Sequence, residues 1–101
     1  MFYIGVMHYF ATGEGVLLYV ASGSEASIKE AIPEYFHQGL AILTPSDWLK
    51  AADGDCVDEY QKYNAEVLKA HLPLLWKQIE EMASGREFNL EFSMKYHFNY
   101  G

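Results

Sequence analysis

One cysteine, three prolines and seven lysines and arginines are all that this chain of 101 residues holds of those types, and each scarcity closes off a class of protein. Cys56, being alone, can form no internal disulfide, so a packed core has to hold the fold and a reducing compartment is expected. Seven cations against 14 acidic residues leave a formal charge of -7, which repels a phosphate backbone. Nucleic acid is therefore not an expected partner, whereas a basic surface on another protein is. No apolar run approaches a membrane span, and the opening MFYIGVMHYF has no positive leader region and is interrupted by His8. The expectation is a cytoplasmic protein whose mature chain starts at or near Met1, with no membrane partner.

Catalytic and metal motifs are scarce too. The histidines, His8, His37, His71 and His97, are scattered without the i, i+4 pairing or cysteine partnership of zinc sites. Facing a core, His8 is expected to be satisfied by a hydrogen bond, and His37 and His71 to sit near helix ends. The segment DGDCVDEY, Asp53 to Tyr60, lacks the ligand alternation and closing glutamate of a calcium loop. Cys56 falls on an apolar stripe among negative neighbours, which suits a buried structural thiol better than a nucleophile. Glu87, Glu91, Lys95 and His97 share one side of the last strand, but such a row usually keeps a strand soluble. No catalytic residue, metal or cofactor is assigned.

What is present is hydrophobic material, at 50% of residues with 16% aromatics, enough for one domain over residues 1–101. Phe2 to Phe10 and Val16 to Ala21 are β-rich runs around ATGEG, the pattern of a hairpin. Ser22 or Ser24 offers an N-cap for a helix carrying Ile28, Ile32, Tyr35 and Phe36, which Pro33 should kink or divide and Gly39 should stop. Leu40 to Leu43 is an edge strand or a buried exit. Thr44-Pro45-Ser46-Asp47 starts a short helix to about Ala52, ended by Asp53-Gly54. Asp55 is expected to cap a longer helix whose stripe is Cys56, Tyr60, Tyr63, Val67, Ala70 and Leu74. A second stripe of Leu68, Leu72, Leu75, Ile79 and Met82 follows, with a break near Pro73 and a close at Ser84-Gly85.

The last run, REFNLEFSMKYHFNYG, alternates large apolar with polar residues from Glu87 to Tyr100. The predicted fold is α+β, of order β-β-α-α-α-α-β, with a three-stranded or four-stranded antiparallel sheet and helices on one face. The first strand is placed centrally, with the last beside it. Extended over its whole length, the last strand would run about 45 Å, against a radius of gyration of about 13 Å for a domain of this size. Burial of the overhang against a second copy is one way to resolve that excess.

Two surfaces suggest function. Asp47, Asp53, Asp55, Asp58 and Glu59, with Trp48, Tyr60 and Tyr63 close by, join acidic steering to aromatic contact area. They motivate the first reading: a small acidic binding protein without catalysis, an inhibitor or immunity-type protein that docks on a basic site of another protein. The odd-numbered face of the hairpin is also apolar. Tyr3, Met7, Tyr9, Leu17 and Tyr19, with Phe98 and Tyr100, form a candidate dimer or ligand face. They motivate the alternative, a homodimer with a small-molecule pocket between sheet and helices, lined or flanked by Tyr3, Tyr9, Tyr19, His8 and His97.

Overall fold

In the computed structural model, residues 1–11, 15–55, 58–86 and 91–98 are described. The hairpin predicted from the two β-rich runs forms β1 (Tyr3–Ala11) and β2 (Gly15–Gly23), paired antiparallel from Tyr3↔Gly23 to Ala11↔Gly15. Ser24, not Ser22, caps α1 (Glu25–Ala31), its Oγ accepting from the Ser27 N–H at 3.1 Å. Ser22 is buried inside β2, where its Oγ accepts from Phe92 N at 2.9 Å. Pro33 divides the apolar periodicity as expected: α1 stops at Ala31, and Glu34–Gly39 continues as a 3-10 helix.

The short run after Gly39 is a strand, β3 (Ala41–Leu43), followed by α2 (Pro45–Ala52). Thr44 Oγ1 accepts from Asp47 N at 3.2 Å, Pro45 occupies the first turn, and Gly54 leaves the helix at φ +89°. The next helix, α3 (Glu59–His71), is capped by Asp58, whose Oδ1 accepts from Gln61 N at 3.0 Å. Asp55 does not take the expected capping role, because its own N–H donates to Lys50 O at 2.9 Å and still belongs to the exit turn of α2. Pro73 opens α4 (Pro73–Ala83), which ends at Ser84 and Gly85. The last described element is β4 (Ser93–Phe98).

The result is an α+β domain with a four-stranded antiparallel sheet in the order β3-β1-β2-β4. The last strand lies beside β2, not beside β1 as expected. The outer edge of β1 is occupied at Ile4, Gly5 and Val6 by β3, so a strand returning from α4 meets the free side of β2. Ser22 N donates to Phe92 O at 2.9 Å, and with the Phe92 N–H on Ser22 Oγ this pins the entry of β4.

The helices do not all lie on one face. One core joins the even-numbered residues Ile4, Val6, Leu18 and Val20 to Trp48, Ala51, Ala65, Leu68, Leu75, Trp76, Ile79 and Met82 of α2, α3 and α4. On the opposite face, Ile28 and Ile32 pack with Ala21, and Tyr3, Tyr19, Phe36, Leu40 and Ile42 close around them. Gly5 makes this second layer possible, since a Cβ there would overlap Ile28 Cγ2. The alternation read in the last strand holds for its described part, with Phe92, Met94, Tyr96 and Phe98 packed against the main core and Ser93, Lys95 and His97 exposed. Ser93–Phe98 is six residues long and matched residue for residue by β2, so the described strand leaves no overhang for a second subunit to cover. Residues 87–90 and 99–101, over which the sequence predicts the rest of the long strand with Tyr100, lie outside the described residues, as do residues 12–14 and 56–57, with the expected hairpin loop and the expected burial of Cys56.

Candidate functional site

Of the acidic aromatic segment, the structure keeps the charges and two tyrosines on the surface and removes the tryptophan. Trp48 is fully buried, and its Nε1 donates to Ile4 O at 2.7 Å, so it anchors α2 to the sheet and is no docking residue. Its place in α2, one turn after the Thr44 cap and one turn before buried Ala51, puts it on the inward stripe. Asp47, Asp53, Asp55, Asp58 and Glu59 are all exposed. Tyr60 and Tyr63 are 67% and 54% exposed, so of the stripe read as the buried face the tyrosines, with Ala70 and Leu74, lie outward, and Val67 alone of its described residues packs against the core. The inward positions are Asn64, Ala65 and Leu68.

Asn64 is the residue that sequence reasoning missed. Its Nδ2 donates to Gly39 O at 3.3 Å; a carbonyl can only accept, so the amide orientation is set and Oδ1 faces β1. There Oδ1 lies 2.6 Å from His8 Nδ1, which must therefore carry the proton and donate. A polar residue at full burial ties three elements together: β1, the 3-10 helix and α3. His8 is thus satisfied by hydrogen bonding, as a core-facing histidine should be. His37 Nε2 donates to Ile32 O at 2.7 Å across the Pro33 break, and His71, in the last turn of α3, stacks on Phe98 at 4.6 Å.

Next to the Asn64 bridge the surface opens into a cleft of about 720 Å³. Its floor is Met7–Phe10 of β1, one wall is Glu34–Phe36 with Gln38 and Gly39, and Tyr60 of α3 stands opposite. Tyr9, Phe10 and Tyr35 are 50%, 56% and 84% exposed, so the walls are aromatic and largely uncovered. A smaller groove of about 190 Å³ adjoins it along β3, sharing Gln38, Gly39 and Tyr60 and adding Asp58. Neither lining contains a lysine or arginine. The acidic helix start and the aromatic cleft, which the sequence leaves as unrelated features, thus meet at Tyr60.

The candidate dimer face is dispersed. Tyr3 and Tyr19 close around α1, with Tyr19 5.3 Å from Phe36, and Met7 is buried. Lys95 Nζ lies 5.8 Å from the Tyr19 ring, and Leu17 is half-buried. Phe98 pairs with Val16 and so belongs to the even-numbered face with the main core, opposite Tyr19. Among the described residues of this set, only Tyr9 is both exposed and in the cleft. His97 sits on β4, two strands away from β1, and the cavity expected between Tyr3, Tyr9, Tyr19, His8 and His97 does not form as one unit. Among the described residues no three histidine, cysteine or carboxylate side chains gather as metal ligands, and no helix is long and apolar enough to cross a membrane. No protein-family model, curated protein or solved structure matches this chain.

Proposed function

We propose that this chain is a non-catalytic binding protein that docks, through the start of α3 and the adjoining cleft, on a basic site of another protein, in the way an inhibitor or immunity-type protein does. The observation that supports it most is the exposure of Tyr60 and Tyr63 beside Asp55, Asp58 and Glu59. Aromatic rings held on a rigid helix turn supply contact area at low entropic cost, and the surrounding carboxylates steer a cationic partner toward them. The net charge of -7 adds a long-range attraction for a cationic partner.

The experiment separates charge from fold. A variant carrying Asp53→Asn, Asp55→Asn, Asp58→Asn and Glu59→Gln loses four charges, while the amide that replaces the Asp58 carboxylate keeps a side-chain oxygen for the cap on Gln61 N. Photocrosslinking from an aromatic analogue at Tyr63 identifies the partner, and titration then compares wild type with the variant. The expected result is association slowed by one to two orders of magnitude at low salt and a weaker salt dependence. Equal affinity and equal salt dependence overturn the reading.

A further inference from the structure

We infer that the outer edge of β1 beyond Val6 is a strand-addition site, which takes an extended basic segment of the partner in line with β3. The inference rests on the binding reading above and specifies its mode. β3 pairs with β1 only at Ile4, Gly5 and Val6, while β1 continues to Ala11. Among the described residues, Met7–Ala11 therefore has a strand partner on the β2 side alone, a stretch of about 17 Å of backbone. Such an edge presents unpaired N–H and C=O groups and is a template for another strand.

Edges are normally guarded, and the other edges of this sheet are. β3 is only three residues long, and β4 carries Lys95 and His97 outward. Met7–Phe10 has neither device: it contains no lysine, proline or acid, and its one histidine is tied to Asn64. The same bond network keeps the edge from His8 onward uncovered. Asn64 Nδ2 holds Gly39 O, so the chain preceding β3 leaves β1 at Gly39, beside Met7, instead of continuing alongside His8 and Phe10. The space left is the 720 Å³ cleft.

Its walls fit an extended chain. Successive side chains of an added strand point to opposite faces of the sheet. On one face they would meet Tyr9, Tyr35 and Phe36; on the other, Phe10 and Tyr60. Glu34 and Asp58 flank the path, and with no lysine or arginine in either lining the charge complement is a cationic segment. The occupant is thus a strand of alternating basic and apolar residues in which main-chain bonds supply register and the rings grip alternate side chains.

The test uses the full chain, uniformly labelled with nitrogen-15, and three synthetic probes: acetyl-KVKFKVKF-amide with variants permuting its apolar residues, the same peptides N-methylated at alternate residues, and an EVEFEVEF control. Expected are shift changes centred on Met7–Phe10, Gly39 and Tyr60, and slower amide exchange within Met7–Ala11. N-methylation on the pairing side should weaken binding by at least about tenfold, and the acidic control should not bind. Four results overturn the inference. They are equal affinity of methylated and unmethylated peptides, no binding of any basic peptide at millimolar concentration, shifts confined to Asp55–Tyr63, or concentration-dependent protection of Met7–Ala11 without peptide. The third leaves the charge-steered docking reading standing while strand addition fails, and the fourth makes a second copy the occupant.

Discussion

His8 Nδ1 and Asn64 Oδ1 are joined at 2.6 Å across a sequence separation of 56 residues, the polar bond that fixes α3 against the end of β1. Asn64→Leu is close in volume but can neither accept from His8 nor donate to Gly39 O. It strands two polar groups beside the core, and the expected cost is about 2–4 kcal/mol by urea unfolding. His8→Phe introduced into that background should cost less than in the wild type, because the imidazole has already lost its partner. A coupling of about 1 kcal/mol or more is expected; additive losses would show that the bond contributes nothing beyond its two ends.

Trp48 makes the corresponding link between α2 and β1. Trp48→Phe keeps an aromatic ring in the fully buried site but removes the N–H that holds Ile4 O at 2.7 Å. The loss combines a buried hydrogen bond with a cavity, for an expected destabilisation of about 2–4 kcal/mol in denaturant titration. Asp47→Asn, one residue earlier and exposed, should stay within about 0.5 kcal/mol.

The elements whose signals are local were legible in the sequence. Ser24, Thr44-Pro45, Asp53-Gly54, Pro73 and Ser84-Gly85 each act within one turn of backbone, and each lies where the helix boundaries form. Alternation likewise assigned the faces of β1, β2 and the described part of β4. Apart from the Asp55 cap, lost because the exit turn of α2 holds the Asp55 N–H on Lys50 O, what failed required knowing which surfaces meet. The outer edge of β1 is taken by three residues, Ala41–Leu43, too few to carry a periodic signal, and that displaces β4 to β2. α3 turns its small and polar residues inward because His8 and Gly39 supply partners for Asn64, so large tyrosines at helical spacing are left outside. The candidate site was half legible for the same reason. The acidic residues could be read from position alone, but the cleft depends on how far β3 runs along β1.

The orientation of α3 can be tested by a pair of substitutions two residues apart. Tyr63→Ser removes a ring that is 54% exposed and should change stability by no more than about 0.5 kcal/mol. Ala65→Leu inserts three carbons at a fully buried site where α2 and α3 pack, and should cost about 1–3 kcal/mol. The reverse ranking in urea unfolding would mean that the tyrosine stripe, not Asn64, Ala65 and Leu68, faces the sheet.

Gly5 carries the last prediction, because it decides whether the second helical layer can exist. No left-handed backbone is involved there; the constraint is contact, since a Cβ would run into Ile28 Cγ2, with Leu40 Cδ1 at 3.3 Å behind it. Gly5→Ala must push α1 off the sheet or force a poor rotamer on Ile28, for an expected loss of about 1–3 kcal/mol. Ile28→Ala alone empties a fully buried site and should cost about 2–4 kcal/mol. Combined, the new methyl occupies part of the vacated space, so the double variant should be more stable than the sum of the two losses by about 1 kcal/mol or more. Simple additivity in urea unfolding would mean that Ile28 and Gly5 do not touch.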